Sequence, residues 1–232
     1  MSVQLKERGN RVSPGRSNRT HASLLILLDR LKYLVESDLL PGGEKLLDYG
    51  CGNKPYQDLF SKKFSQHVGA DFPGNNDADI LIDQNGLVTC EAASFDCVLS
   101  SQVLEHVTSP QNYLREANRV LKPGGSLILS THGIWPYHPD PTDFWRWTPD
   151  GLRDEISRAG FDVQDMQAVM GLESAALQLW QDSTFERLPT FLWPPYFWFF
   201  QTLISLIERR RKSRFNNDAM IFVVLGRKRV VG

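Results

Sequence analysis

The chain has 232 residues, 41% of them hydrophobic and 23% charged, which is enough to bury one sizeable core and excludes a disordered or fibrous protein. Residues 3–11 lack the apolar segment of a secretion signal. The three cysteines, Cys51, Cys90 and Cys97, lack the paired spacing of a zinc site, so we expect no metal and a reducing compartment. These features predict one main domain in the cytoplasm.

Charge is distributed unevenly along the chain, although the formal net charge is only −1. Residues 1–21 hold five basic side chains and one acidic side chain, and residues 208–232 hold eight basic and two acidic. The body between these two basic ends is therefore acidic. We expect no nucleic-acid-binding face on it, because such a face needs a basic patch.

The predicted elements alternate between strands and helices. After a basic, flexible lead over residues 1–21, residues 23–35 have the wide apolar face of a helix. The alternation that follows predicts an α/β fold, in which helices cover a parallel sheet. Strand-like segments recur at 45–49, 67–71, 79–83, 95–100 and 126–131.

Two later helices have clear boundaries. The helix over 109–121 begins with a serine and a proline, which are suited to a first turn. The helix over 148–160 ends on a glycine, which tolerates the left-handed backbone found just past a helix. The last two strands are predicted at 161–164 and 219–225.

The segment LLDYGCGNKPY, residues 46–56, follows the first strand and contains two glycines one residue apart. Glycine lets a backbone turn sharply from strand to helix and leaves room for a ligand, but the pattern also fits a structural turn or a dinucleotide site. Bulky Pro55 and Tyr56 replace the third glycine of the dinucleotide motif, which disfavours a pyrophosphate. Asp71, at the end of the next strand, is suited to accept hydrogen bonds from ribose hydroxyls. A dinucleotide would need the same acid, and a turn at the end of the strand is the structural alternative.

Two further segments complete a pattern with DYGCG at 48–52: FDCVLSSQVLEHV at 95–107 and RVLKPGGSLILS at 119–130. Over about residues 44–170 the chain resembles the class I S-adenosylmethionine-dependent methyltransferases, methyltransferase type 11 group. The resemblance implies a Rossmann-like, doubly wound sheet of seven strands in the order 3-2-1-4-5-7-6, with the last strand antiparallel. It also implies S-adenosyl-L-methionine as the cofactor. An N-terminal helix and a helical insertion before the last strand are expected in addition.

The same resemblance assigns roles to individual residues. The first motif is expected to line the methionine part of the cofactor, and Asp71 to bind its ribose. His106 matches a family histidine of variable role, for which packing is the alternative. The residues expected to bind the cofactor are Asp48, Gly50, Gly52, Asp71, Phe72, Asp83, Gln84, Ser100 and Ser101.

The methyl acceptor is expected at the loop over residues 130–148, because ligands of open α/β sheets gather at the carboxyl ends of the strands. A sulfonium methyl is already activated, so a base is optional. His132 and Asp143 are the catalytic candidates, as base or for acceptor alignment; the alternative for Asp143 is a pair with Arg146 or a helix cap. The residues expected to contact the acceptor are Tyr56, His106, Trp135, His138, Trp145 and Arg146.

Residues 22–232 are predicted to form a single domain in which 171–215 is an aromatic insertion, longer than a normal loop. Within it, residues 191–207 are too few and too interrupted to span a bilayer, and the basic run of 208–212 follows at once. Three polar side chains, among them Gln201, fall on one helical face, which predicts an amphipathic helix. It is expected to contact the inner face of a membrane, a second copy of the chain, or the substrate as a lid.

The sequence therefore predicts an enzyme that transfers a methyl group to an oxygen or nitrogen acceptor. A glycan or lipid-linked saccharide is the first expectation, because the acceptor loop combines aromatic faces with carboxylates, and a small aromatic metabolite is the second. Two alternatives stay open at this point. One is an NAD(P)-binding oxidoreductase, and the other is a non-catalytic module that uses the scaffold to bind a partner.

Overall fold

The computed structural model describes residues 11–140, 142–211 and 215–230 of the chain. The strands are β1 (Gly43–Tyr49), β2 (Phe64–Asp71), β3 (Ile80–Leu81), β4 (Phe95–Ser101), β5 (Leu121–His132), β6 (Phe161–Val169) and β7 (Ile221–Lys228). The α-helices are α1 (His21–Glu36), α2 (Gln57–Phe60), α3 (Pro110–Val120), α4 (Pro149–Arg158), α5 (Leu172–Thr184) and α6 (Trp193–Arg210). A short 3₁₀ turn, Leu104–His106, follows β4.

The strands of the described residues form one sheet in the order β3-β2-β1-β4-β5-β7-β6. Neighbouring strands from β3 to β5 pair in parallel, whereas β7 runs antiparallel to both β5 and β6. The predicted fold is confirmed. Because the strand order reverses between β1 and β4, their crossovers cover opposite faces of the sheet, and a crevice opens at the carboxyl ends of these two strands.

Alternate residues of the central strands enter two cores on opposite faces of the sheet. In β4, Val98 belongs to the core that also contains residues of α3 and α4, whereas the next residue, Leu99, belongs to the core that contains residues of α1 and α6. Both side chains are fully buried. Burial on both faces explains why such strands read as continuous apolar runs in the sequence.

The ends of some elements differ from the predicted ones. The strand predicted at 79–83 has only two residues, because Asp83 Oδ1 accepts the backbone N–H groups of Asn85 and Leu87 and turns the chain. The glycine expected just past the end of α4 is confirmed, since Gly160 has a φ of +91°. Local side-chain hydrogen bonds therefore make this strand shorter than the apolar pattern of the sequence predicted.

The insertion between β6 and β7 folds into α5 and α6. The amphipathic helix predicted from the sequence is α6. Unlike an ordinary surface helix, it buries polar side chains and exposes aromatic ones. Gln201 is 1% exposed, whereas Trp198 and Phe199 are 47% and 56% exposed. Among the described residues, no helix combines the length and apolar content needed to cross a bilayer.

Three buried glutamines explain this arrangement. Gln178 and Gln181 of α5 and Gln201 of α6 each donate to the Arg19 carbonyl, at distances of 3.1, 3.0 and 2.8 Å. Gln201 also donates to the side-chain oxygens of both other glutamines and accepts the Ala22 N–H at 2.8 Å. The network joins the insertion to the end of the predicted lead, whose first ten residues lie outside the described part of the chain.

We expect Gln201→Leu to lower the free energy of unfolding by about 1–3 kcal/mol, because it leaves several buried polar groups without their partner. Urea unfolding followed by tryptophan fluorescence measures this change. Thr202→Leu is the matched control on the exposed side of the same helix, and its effect should stay within about 0.5 kcal/mol. Equal stabilities of the two variants would contradict a structural role for the glutamine network.

Candidate functional site

The crevice between β1 and β4 begins with a buried acid. Asp48 is 3% exposed, and its Oδ2 lies 3.0 Å from His67 Nε2 on β2. Burial raises the pKa of Asp48, while the hydrogen bond to His67 acts in the opposite direction. His67 was not predicted as a site residue. Its contact fixes the Asp48 carboxylate beneath the turn that leaves β1.

Two glycines shape this turn, with φ of +82° at Gly50 and +52° at Gly52. Side chains rarely adopt this backbone. A Cβ on Gly50 would lie 2.6 Å from Val103 Cγ2, so the loop after β4 packs directly against this glycine. A Cβ on Gly52 would meet no described atom within 4 Å, so Gly52 borders open space in which a ligand can lie against the backbone.

Asp71 closes the same loop from the end of β2. Its Oδ2 accepts the Gly52 N–H at 3.0 Å and Asn75 Nδ2 at 2.7 Å, and its Oδ1 accepts the Phe72 N–H at 2.8 Å. Each carboxylate oxygen has two lone pairs, so Oδ1 can accept a further donor such as a sugar hydroxyl. Asn75, which the sequence did not single out, also donates to the Gly52 carbonyl at 2.7 Å.

The remaining residues expected near the adenosine part of the cofactor follow Asp71 in the sequence. Phe72 is 55% exposed, and Gln84 is also exposed. The pKa of Asp83 is lowered, chiefly by the backbone hydrogen bond from Leu87. Asp83 therefore supports its own turn, and the ring of Phe72 is accessible for stacking.

The serines at the end of β4 make side-chain hydrogen bonds within the fold. Ser100 is fully buried, and its hydroxyl lies 2.8 Å from the Tyr113 hydroxyl of α3. Ser101 is half-buried and lies 3.0 Å from the Ser130 hydroxyl of β5. Their side chains thus fix the strand ends, and only their backbone can face the crevice as a ligand contact.

Tyr56, expected to contact the acceptor, is 1% exposed and packs in the core that α1 covers. Burial raises the pKa of its hydroxyl. Side-chain hydrogen bonding with Ser101 and Arg11 acts in the opposite direction.

Glu105 is a candidate site residue that sequence reasoning missed. It lies in the 3₁₀ turn after β4 and is fully buried. Thr131 Oγ1 donates to its Oε2 at 2.9 Å, and its Oε1 lies 3.4 Å from His132 Nδ1 at the end of β5. Its position next to His106 in the LEH of residues 104–106 was the available signal.

Burial has opposite effects on the two members of this pair. It raises the pKa of Glu105 and lowers the pKa of His132 well below its usual value, and the nearby Arg146 charge lowers the latter further. His132 is therefore neutral at pH 7. Its ring stacks on Trp135, with centroids 4.5 Å apart and planes 1° from parallel, so its orientation is fixed.

Two further histidines surround the stacked ring. The His138 ring lies 6.2 Å from His132 and 5.7 Å from His106, and burial lowers its pKa. His106 Nδ1 contacts the Thr142 carbonyl. The structure thus brings together three of the histidines that the sequence assigned to the acceptor region.

Arg146 and Asp143 fasten the loop that carries these rings. Arg146 donates to both carboxylate oxygens of Asp143 at 2.6 Å, and also to the carbonyls of Trp135 and Pro136. The Asp143 carboxylate accepts the His138 N–H at 2.6 Å as well. Partial burial acts to raise the pKa of Asp143, but these hydrogen bonds outweigh it and lower the pKa.

The loop is also anchored to the turn that carries Glu105. Trp145 Nε1 donates to the Val107 carbonyl at 2.8 Å, and the Phe144 N–H donates to the Glu105 carbonyl at 2.9 Å. The side chain of Trp145 remains 38% exposed. The acceptor loop and the end of β4 therefore form one bonded unit.

An apolar groove of about 560 Å³ lies between this loop and α5. Pro136, one of its walls, directly follows the tryptophan stacked on His132. Trp180 forms part of the opposite wall. The full lining consists of Pro136, Ala176, Leu179, Trp180, Asp182 and Ser183.

Known proteins resemble this chain in sequence and in fold. The sequence profile of a family described as a methyltransferase domain matches residues 19–165. Ubiquinone biosynthesis O-methyltransferases from Cereibacter sphaeroides and Ruegeria pomeroyi are 32% and 34% identical to it, over 55% and 53% of this chain and 64% and 62% of their own. The chain thus spans less than two thirds of these relatives.

A solved structure confirms the fold independently. The S-adenosylmethionine-dependent methyltransferase from Mesorhizobium loti superposes with a TM-score of 0.56 at 16% identity, over 88% of this chain and 98% of the other. The oxidoreductase is set aside, because the profile of a methyltransferase domain covers more than half of the chain. The chain belongs to the methyltransferase domain family.

Proposed function

We propose that this methyltransferase acts on a hydroxyl group of an aromatic ring that carries an apolar substituent. The observation that carries the proposal is the buried pair of Glu105 and neutral His132 at the carboxyl edge of the sheet. A hydroxyl oxygen becomes a stronger nucleophile as it loses its proton, and a neutral imidazole can accept that proton. The names of the curated relatives, which are O-methyltransferases, support the same acceptor atom.

The groove beside the acceptor loop supports the apolar substituent. It is lined mainly by side chains such as Pro136, Leu179 and Trp180, which offer few hydrogen bonds to a saccharide. Trp135 and the accessible Trp145 offer flat surfaces on which a ring can stack. These surfaces favour a hydroxylated ring with an apolar chain over the glycan expected from the sequence.

The residues around the first glycine turn fit the cofactor. When bound, S-adenosylmethionine supplies a methyl group that its sulfonium already activates. Gly52 borders open space, Asp71 Oδ1 can accept one ribose hydroxyl, and Asn75 keeps the Asp71 carboxylate aligned. Phe72 lies next to Asp71 and is accessible to the adenine.

His132 acts on the acceptor through its second ring nitrogen. Nδ1 faces the Glu105 carboxylate, so Nε2 is left to accept the proton of the acceptor hydroxyl. Glu105 then stabilises the imidazolium that forms, and Trp135 keeps the ring in place. Asp143 has a positioning role, because its carboxylate is bound to Arg146 and to the His138 backbone.

We expect Asp71→Asn to weaken the binding of S-adenosylmethionine about 10- to 100-fold, because the charged acceptor for the ribose is lost. Isothermal titration calorimetry measures the dissociation constant. Asp77→Asn removes an exposed carboxylate from the same loop and serves as the matched control, with binding unchanged. Equal affinities of the two variants would exclude Asp71 from the cofactor site.

We expect His132→Gln to lower kcat about 10²- to 10⁴-fold and to leave cofactor binding unchanged, because only the proton acceptor is lost. Asp143→Asn and Arg146→Ala should lower turnover together and by less, since both loosen the loop. Rate measurements at saturating cofactor give these values. Unchanged turnover in His132→Gln would remove this residue from the mechanism.

The pH profile separates a base from a structural role for His132. Because burial lowers its pKa, wild-type activity should persist below pH 6.5 and fall only when the pH drops below that lowered value. The His132→Gln variant should recover activity as the pH rises toward the pKa of a phenol, near 10. A parallel loss at all pH values would indicate a structural defect instead.

The acceptor is tested directly with methyl-labelled cofactor and four compounds: a catechol with a long alkyl chain, the same ring without the chain, the matching aniline and a free saccharide. We expect label on the catechols, with a lower KM for the alkylated one because its chain occupies the groove. Trp180→Ser should raise that KM and leave the short catechol unaffected. Transfer to the aniline or the saccharide alone would overturn the proposal.

A further inference from the structure

The outward side of α6 exposes large apolar side chains. We refer to Trp198, Phe199 and Leu206 of α6, together with Phe191 in the turn Thr190–Leu192 just before it, as the outer face. In that order, these side chains are 47%, 56%, 47% and 75% exposed. Trp198, Phe199 and Leu206 lie within an arc of about 100° on one side of the helix, because each residue of an α-helix advances by about 100°. An apolar surface of this kind on one helix marks an interaction site.

Two polar residues of α6, Gln201 and Glu208, cannot turn outward to replace this face, because the fold uses them inside. Gln201 belongs to the buried glutamine network that holds Arg19 and Ala22. Glu208 accepts the Gly171 N–H at 3.1 Å and the Ser174 hydroxyl at 2.6 Å. The orientation of the helix is therefore fixed by hydrogen bonds, and the outer face stays outside.

Charge identifies the kind of partner. Residues 193–207 contain no charged side chain, and the helix ends on the exposed Arg209 and Arg210. In the sequence 191–214, Glu208 is the single acidic residue, and it is held internally. A second copy meeting this helix would therefore bring aromatic and basic groups with no exposed acid. An anionic lipid surface supplies both the apolar layer and the negative charge.

We propose that α6 lies in the plane of an anionic lipid bilayer, with its outer face inserted at the boundary of the acyl chains and with Arg209 and Arg210 at the headgroups. Tryptophan suits this boundary because its ring is amphipathic, and phenylalanine suits it because its apolar ring can enter the edge of the acyl layer. The inference concerns this helix alone. It holds whichever acceptor the enzyme methylates.

Vesicle flotation tests the proposal with the full chain and needs no turnover. Vesicles of phosphatidylcholine with phosphatidylglycerol should carry the protein upward, whereas pure phosphatidylcholine should carry much less. Trp198→Ser with Phe199→Ser should abolish flotation. Arg209→Gln with Arg210→Gln should weaken it about 25-fold at low salt, since each arginine contributes roughly a fivefold factor near an anionic surface.

The matched control is Leu25→Ser with Leu39→Ser, which removes two exposed leucines, 38% and 41% exposed, from another part of the surface. This control should float like the wild type. Absence of flotation at low salt would overturn the proposal, and so would a dimer in light scattering that the Trp198→Ser and Phe199→Ser variant dissociates. Methylation of a soluble catechol by that variant, at the wild-type rate, would show that the site itself is intact.

Discussion

The reversal of strand order between β1 and β4 is the constraint on which the rest of the structure depends. At that point the chain must leave the sheet in opposite directions, and the crevice between the two strand ends cannot be filled by either crossover. Gly50 and Gly52 lie in the turn that leaves β1, and Glu105 follows β4. Topology thus brings residues proposed for the cofactor and for the acceptor to one edge of the sheet, although they lie far apart in the sequence.

Burial gives this crevice its chemistry. Burial raises the pKa of Glu105 and lowers the pKa of His132, because it disfavours the charged form of each side chain. Arg146 donates to the Trp135 carbonyl, and the Trp135 ring stacks on the imidazole of His132.

The insertion forms an apolar groove beside the acceptor loop. Its helix α5 forms one wall of the groove next to the acceptor loop, and α6 holds α5 through Gln178, Gln181 and Gln201. Because these glutamines and Glu208 form hydrogen bonds within the fold, the aromatic side of α6 faces outward. Groove and outer face are thus two results of one packing arrangement.

The sequence by itself determined the fold class and the glycine turn, because periodic apolar runs and glycine spacing report local geometry. The strand order and the cofactor followed from its resemblance to a known family. The sequence named His132 but missed Glu105, since nothing local shows that β4 and β5 bring the two within 3.4 Å. It also assigned Gln201 to a polar face of the helix without showing that this face is buried. Only tertiary structure decided these points, because burial and charge pairing depend on residues that are distant along the chain.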